Sequence, residues 1–113
     1  DARFVKHVGL PDWASLPPNI AFVKTWRFRN EGSEVWPEDT KIQYVSKNRP
    51  KEDHMFGPDS LKIGHVVKPQ QEVDVSVPLK SPNRAGTYCG FWKLALSTNK
   101  KFGQRVWVRI HVT

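Results

Sequence analysis

The side chains that could carry out chemistry are few and lie far apart in the sequence. No two histidines have the short spacing of a metal-binding pair: His7, His54, His65 and His111. The single cysteine, Cys89, has Tyr88 and Phe91 nearby and no neighbour that would activate a thiol, so we interpret it as a residue on a sheet face. A nucleophile elbow, a phosphate-binding glycine loop and an HExxH motif are all missing. The sequence therefore predicts a non-enzymatic domain without a metal or a cofactor.

The charge of the chain is unevenly distributed. Lys and Arg number 18 against 11 Asp and Glu, which gives a net charge of +7. Residues 31–59 are the exception, because there the carboxylates outnumber the basic side chains: Glu31, Glu34, Glu38, Asp39, Glu52, Asp53 and Asp59. Two explanations stay open for this acidic segment. It balances the charge of a basic domain, or it binds a cationic group such as a lysine or a peptide amino terminus.

Aromatic and methionine side chains lie among these carboxylates and suggest a first candidate surface. Loops of a rigid scaffold often carry recognition, and aromatic anchors dominate interface energetics. We predict a partner-binding site made of seven residues: Trp36, Glu38, Asp39, Asp53, Met55, Phe56 and Asp59. For Trp36 two roles stay open, since a tryptophan directly before Pro37 often closes the end of a sandwich instead of contacting a ligand.

A second candidate surface follows if the last two strands of the chain pair antiparallel. Its members are Phe91, Lys93, Arg105, Trp107 and Arg109. Aromatic rings among basic side chains are typical of platforms that bind single-stranded nucleic acid by stacking and phosphate contacts. The alternative, which we favour, is that Trp107 packs under a loop and the arginines cover it by cation–π contact. Nucleic acid is therefore the second choice of partner.

The elements that must position these side chains are strands, because alternation of period two dominates the chain. Pro and Gly lie mostly between the alternating runs. We predict a Pro-rich connector at 9–19, a loop at 47–59 and seven strands at 3–8, 20–30, 40–46, 61–68, 72–79, 87–97 and 104–113. Such a series indicates an all-β antiparallel sandwich. Gly86-x-Tyr88 at the start of the sixth strand further indicates the immunoglobulin-like type. A single cysteine excludes an internal disulfide, which fits a cytosolic protein.

Particular residues define the expected core of this sandwich. On the second strand, Ile20, Phe22, Trp26 and Phe28 share the inward face, with Lys24 as an exception in that row. At the start of the sixth strand, Tyr88 stands where immunoglobulin-like domains place a tyrosine whose hydroxyl bonds back to upstream backbone. We expect four core residues in particular: Trp26, Phe28, Tyr88 and Trp92. No apolar run approaches the ~18 residues of a membrane span, so we expect no membrane insertion.

Several aromatic motifs recur in a fixed order along nearly the whole chain. They are Phe22-Val-Lys24-Thr-Trp26-Arg-Phe28-Arg-Asn30-Glu-Gly32, Val35-Trp36-Pro37, Arg84-Ala-Gly86-Thr-Tyr88, Phe91-Trp92-Lys-Leu94 and Phe102-Gly103-Gln-Arg105-Val106-Trp107-Val108. This order closely resembles the four-tryptophan (FW) domain, best known from autophagy receptors of the next-to-breast-cancer-gene-one type. The four tryptophans of the name correspond to Trp26, Trp36, Trp92 and Trp107. Residues 47–59 do not match the family pattern.

The resemblance implies a function as well as a fold. It implies that residues 1–113 are one FW-type domain of a larger modular receptor, and that the domain captures cargo protein without catalysis. Fungal relatives are similar to receptors that carry vacuolar hydrolases such as α-mannosidase and aminopeptidases. We therefore expect a cytoplasmic protein that is delivered with its cargo to the autophagosome or vacuole. The expected partner is a cargo protein, held through a peptide amino terminus, and no small-molecule substrate is expected.

Overall fold

The chain forms two β-sheets that pack face to face. A computed structural model describes residues 2–45 and 57–113, and within them the regular elements are all strands. The strands are β1 (Ala2–Val8), β2 (Ala14–Leu16), β3 (Ala21–Asn30), β4 (Lys41–Tyr44), β5 (Ser60–Lys62), β6 (Glu72–Lys80), β7 (Gly86–Ala95) and β8 (Lys101–Val112). One sheet has the order β1-β3-β6 and the other the order β2-β8-β7-β4-β5. The predicted all-β sandwich is confirmed. The described residues include no helix long and apolar enough to span a membrane.

The connector at 9–19 contains an additional strand that the sequence did not predict. Strand β2 pairs in parallel with the end of β8, from Ala14 opposite Ile110 to Leu16 opposite Val112. The other strand pairs are antiparallel. A segment of three residues between prolines is too short to show an alternating pattern. Strand β2 forms because the edge of β8 has free backbone groups with which it can pair.

The predicted strand at 61–68 is shorter in the structure. Strand β5 covers Ser60–Lys62, and Val67 returns to an extended pairing as an isolated bridge to Trp36. Gly64 explains the interruption, because its φ of +73° is a left-handed conformation that ends an extended run.

The row of inward residues on β3 differs from the predicted row at two positions. Ile20 is 41% exposed, whereas Lys24 is only 1% exposed and points inward like Trp26 and Phe28. The strand period places Lys24 inside, and its Nζ donates a hydrogen bond to the Leu10 carbonyl at 3.0 Å. Burial lowers the pKa of Lys24, and the nearby Asp12 carboxylate partly opposes that shift.

Aromatic residues dominate the space between the sheets. Trp26, Phe28 and Trp92 are fully buried, and the Trp26 and Trp92 ring centroids lie 6.3 Å apart. Tyr88 is half-buried against this cluster, and its hydroxyl donates a hydrogen bond to the Arg84 carbonyl at 2.9 Å. This is the backbone contact expected for a tyrosine at the start of that strand.

Candidate functional site

A cavity of about 330 Å³ opens at one end of the sandwich, between the β3–β4 connection and the β7–β8 turn. We call it the end cavity. Aromatic rings, aliphatic side chains and charged side chains line the cavity together with a short polar turn. The lining residues are Gly32, Ser33, Glu34, Val35, Trp36, Pro37, Leu96, Lys100 and Phe102. The volume of the cavity lies at the lower end of the range for ligand pockets, which are mostly apolar with a few placed polar groups.

Asn30, the last residue of β3, fixes the backbone that forms one wall of the end cavity. Its side chain is completely buried. The Nδ2 group donates to the carbonyls of Glu34 at 2.9 Å and Val67 at 3.0 Å, and Oδ1 accepts from the Gly32 N–H at 3.0 Å. One amide side chain therefore bonds the 31–36 turn at Gly32 and at Glu34 and joins it to the β5–β6 connection.

Trp36 forms the floor of the end cavity. The residue is 4% exposed, its backbone pairs with Val67, and its ring meets Phe102 edge-on with centroids 5.5 Å apart. Of the two roles left open for Trp36, burial shows that it closes the end of the core. The same ring still lines the cavity, whereas the neighbouring Val35 at its rim is 47% exposed.

The acidic residues of the predicted site do not form one cluster. Glu38 and Asp39 are exposed in the turn that precedes β4, next to the end cavity. Asp59 lies at the other end of β4, where its carbonyl accepts the Tyr44 N–H at 2.9 Å. Since a strand rises about 3.3 Å per residue, the two ends of the four-residue strand β4 lie roughly 10 Å apart. Antiparallel pairing of β4 and β5 therefore places Asp59 at the opposite end of β4 from Glu38 and Asp39. Its part in partner binding stays a prediction.

The remaining members of the predicted partner-binding site are Asp53, Met55 and Phe56. They lie outside the described residues, so their part in a site stays a prediction.

A larger hollow of about 510 Å³ lies along β6, but two of its charged residues, Arg27 and Asp74, already pair with each other. Arg27 Nε donates to Asp74 Oδ1 at 2.7 Å across β3 and β6. This hydrogen bond holds the pKa of Asp74 below its ordinary value and raises the pKa of Arg27. Glu34 and Lys100 at the end cavity form no ion pair with another residue of 2–45 or 57–113, so the end cavity offers the better combination of apolar lining and available charge.

The last two strands, β7 and β8, pair antiparallel, which places Phe91 of the predicted basic aromatic surface opposite Trp107. Arg105 lies over the Phe91 ring, with Cζ 4.3 Å from the centroid. Trp107 packs against Phe4 and His7, with ring centroids 5.5 Å and 5.2 Å away. Both rings that would stack on nucleic-acid bases are thus in contact with other parts of the domain.

Arg109 is held in place by the connector before β2. Its Nε donates to Asp12 Oδ1 at 3.0 Å, and Nη2 bonds the second oxygen of the same carboxylate. The guanidinium also lies over Trp13 at 5.0 Å and over Trp107 at 5.3 Å. The bond from Arg109 lowers the pKa of Asp12, although partial burial acts in the opposite direction. This is the intramolecular arrangement that the sequence favoured for the arginines.

The comparison with known protein families decides the classification. A family model described as the immunoglobulin-like domain from next to BRCA1 gene matches residues 9–112. The chain belongs to this family. The immunoglobulin-like character of the sandwich and the resemblance seen in the aromatic motifs are both confirmed.

Curated relatives match almost the whole chain. It is 39% identical over 112 residues to the NBR1 homolog protein of Arabidopsis thaliana and 35% identical over 112 residues to the JOKA2 protein of Solanum tuberosum. It is 36% identical over 116 residues to the next to BRCA1 gene 1 protein of Mus musculus. These matches cover 99%, 99% and 98% of the chain, but only 16%, 13% and 11% of the relatives.

Sequence reasoning missed several residues that shape the two surfaces. Asn30 and Phe102 were not singled out, although the Asn30-Glu31-Gly32 sequence is a turn signal. Lys41 and Lys62 were also missed, and they extend the basic surface across β4 and β5. Among the described residues, no group of three or more His, Cys, Asp or Glu side chains is placed to hold a metal ion.

Proposed function

We propose that this domain is a non-catalytic protein-interaction module of a selective autophagy receptor, and that it captures cargo by binding a peptide segment in the end cavity. The observation that carries the proposal is the cavity itself, with the Trp36 and Phe102 rings inside and Val35 exposed at the rim. Membership of the next to BRCA1 gene family supports the setting.

The proposed binding mode combines an apolar anchor with a charge. An apolar side chain of the cargo enters the cavity against the rings, since aromatic-lined pockets supply most of the energy in such interfaces. Glu34 at the rim, with Glu38 and Asp39 in the adjoining turn, attracts a free peptide amino terminus. Capture takes place in the cytoplasm, and the complex is delivered to the autophagosome or vacuole. A vacuolar hydrolase such as α-mannosidase or an aminopeptidase is the class of cargo we propose.

A nucleic-acid function for the β7–β8 face receives less support. Base stacking needs a free aromatic face. In this domain Arg105 covers Phe91, and Trp107 contacts Phe4 and His7.

The test is affinity capture from cytosol with a matched pair of variants. Val35→Asp places a carboxylate at the cavity rim, whereas Val66→Asp makes the same change at a valine of similar exposure, 49% against 47%. We expect one discrete protein to be retained by the wild type and by Val66→Asp and to be lost with Val35→Asp. Equal retention by both variants would move the site away from the end cavity.

Peptides from the retained protein then test the amine contact. Binding of a free amino-terminal peptide should weaken at least about tenfold, or 1.4 kcal/mol, when its terminus is acetylated. Unchanged affinity after acetylation would reject amine capture while leaving the apolar anchor in place.

A further inference from the structure

The outer face of the five-stranded sheet carries a set of cations that extends beyond the predicted basic aromatic surface. Lys93 and Arg105 belong to that surface, whereas Lys41, Lys62 and Lys101 belong to neither candidate site. Lys62 on β5 lies opposite Lys41 on β4, Lys41 lies opposite Ala95 on β7, and Ala95 lies opposite Lys101 on β8. The three lysines lie on the outer face because the strand neighbours Ile42 and Leu94 point into the core, and Ala95, in the same row, is buried between them. Three lysines therefore stand in one row across four strands.

A second row of the same face lies two residues further along the strands. On this row, Gln43 of β4 is opposite Lys93 of β7. The register between β7 and β8 is irregular directly after Trp92, and Lys93 therefore lies beside the segment of β8 that contains Arg105. We call the five cations the basic face: Lys41, Lys62, Lys93, Lys101 and Arg105.

The basic face lacks the charge balance of the other sheet. On the three-stranded sheet, Arg27 pairs with Asp74 at 2.7 Å and Arg29 pairs with Glu31 at 3.0 Å. Within residues 2–45 and 57–113, no carboxylate forms an ion pair with any cation of the basic face. Like charges directly opposite each other on neighbouring strands, as at Lys41 and Lys62, destabilise a sheet. An external anion would remove that repulsion.

The shape of the basic face selects the kind of anion. Four strands about 4.8 Å apart spread the charges over roughly 14 Å, and the two rows are about 7 Å apart along the strands. A single extended chain contacts one such row, whereas a flat anionic surface contacts both. The aromatic rings beside it are covered, which disfavours base stacking. We propose that the basic face docks the domain on an anionic lipid bilayer.

The expected strength follows from the number of cations. Each Lys or Arg near an anionic leaflet contributes about 1 kcal/mol, equivalent to about a fivefold change in partitioning. Removing three of them should therefore weaken partitioning by about a hundredfold. Because contact occurs at the surface of the headgroups, it should also weaken steeply as salt rises.

The test is co-sedimentation with phosphatidylcholine vesicles that either contain or lack phosphatidylserine. The first variant is Lys62→Gln/Lys93→Gln/Lys101→Gln, which spares Lys41 because its ammonium bonds Asn99. The matched control, Arg3→Gln/Lys6→Gln/Lys80→Gln, removes the same charge from the other sheet. Thermal unfolding verifies that both variants are folded.

We expect the wild type and the control to bind phosphatidylserine vesicles and the basic-face variant to lose binding. Equal loss in both variants would show a net-charge effect and overturn the proposal. So would failure of the wild type to sediment, or exclusive binding of a single-stranded oligonucleotide offered in parallel. Val35→Asp should leave vesicle binding unchanged, which separates this proposal from capture in the end cavity.

Discussion

Asn30→Ala is the substitution that tests most directly how the end cavity is built. The wild-type amide makes three hydrogen bonds, to the Glu34 carbonyl, the Val67 carbonyl and the Gly32 N–H, from a completely buried position. A hydrogen bond contributes about 0.5–1.5 kcal/mol net, and a buried group left without a partner costs about 1–3 kcal/mol. The Val67 bond is buried and the other two are partly accessible to water. We therefore expect Asn30→Ala to lower the free energy of unfolding by about 3–4 kcal/mol.

Urea unfolding monitored by tryptophan fluorescence measures this effect. With a typical m-value of about 1–3 kcal/mol/M, the midpoint should fall by roughly 1–4 M. Asn83→Ala, at an exposed position, is the matched control and should shift the midpoint hardly at all. Peptide binding in the end cavity should also be lost at urea concentrations where the variant is still folded, because the 31–36 turn is no longer held.

A loss below about 1 kcal/mol would refute this reasoning, because one hydrogen bond would then account for the whole effect. A large loss of stability together with unchanged peptide affinity would refute the link between Asn30 and the binding wall of the end cavity. In that case Asn30 would support the fold, and the turn that it holds would not form the binding wall.

Three further predictions concern the core and its edges. Trp26→Ala should lower the free energy of unfolding by about 3–5 kcal/mol, because it empties a fully buried site; a smaller loss in urea unfolding would show that the core refills the space. Tyr88→Phe should cost about 1 kcal/mol by removing the hydroxyl that bonds the Arg84 carbonyl, and a neutral result in the same assay would mean that water replaces that bond. Burial, and then the neighbouring Lys24, lower the pKa of His7, so the unfolded chain binds the proton more readily. Stability should therefore fall as pH drops from about 6.5 through the lower folded pKa of His7, and a pH series of melting temperatures should lose that slope in His7→Phe.

The sequence was sufficient to predict the long strands and the aromatic core. Alternation on β3 and β7 places Trp26, Phe28 and Trp92 inside, and period two is a local property that the sequence carries directly. The position of Tyr88 was predictable for the same reason. Lys24 was missed because hydropathy argues against burying an ammonium, while the strand period and the Leu10 carbonyl make the burial possible.

Features that depend on which strands are neighbours in a sheet could not be predicted from local sequence patterns. Asp59 and Glu38 are separated because β4 and β5 form an antiparallel pair, which no local pattern reveals. The basic face depends on β4 lying beside β7, so Lys41 joins Lys93 only through the order of the sheet. The end cavity, likewise, needs the 31–36 turn to meet Phe102 from a distant part of the chain.

The contact between Asp12 and Arg109 has a consequence for synthesis on the ribosome. The two residues are 97 positions apart, and β2 pairs with the last residues of β8. At a synthesis rate of about 5–20 residues per second, the ribosome adds Arg109 roughly 5–20 s after Asp12. Throughout that interval the nascent chain cannot close its sandwich, and Trp13 is without its backbone hydrogen bond to Arg109 and the guanidinium that lies over its ring. The nascent domain therefore exposes an incomplete five-stranded sheet until β8 has left the ribosome.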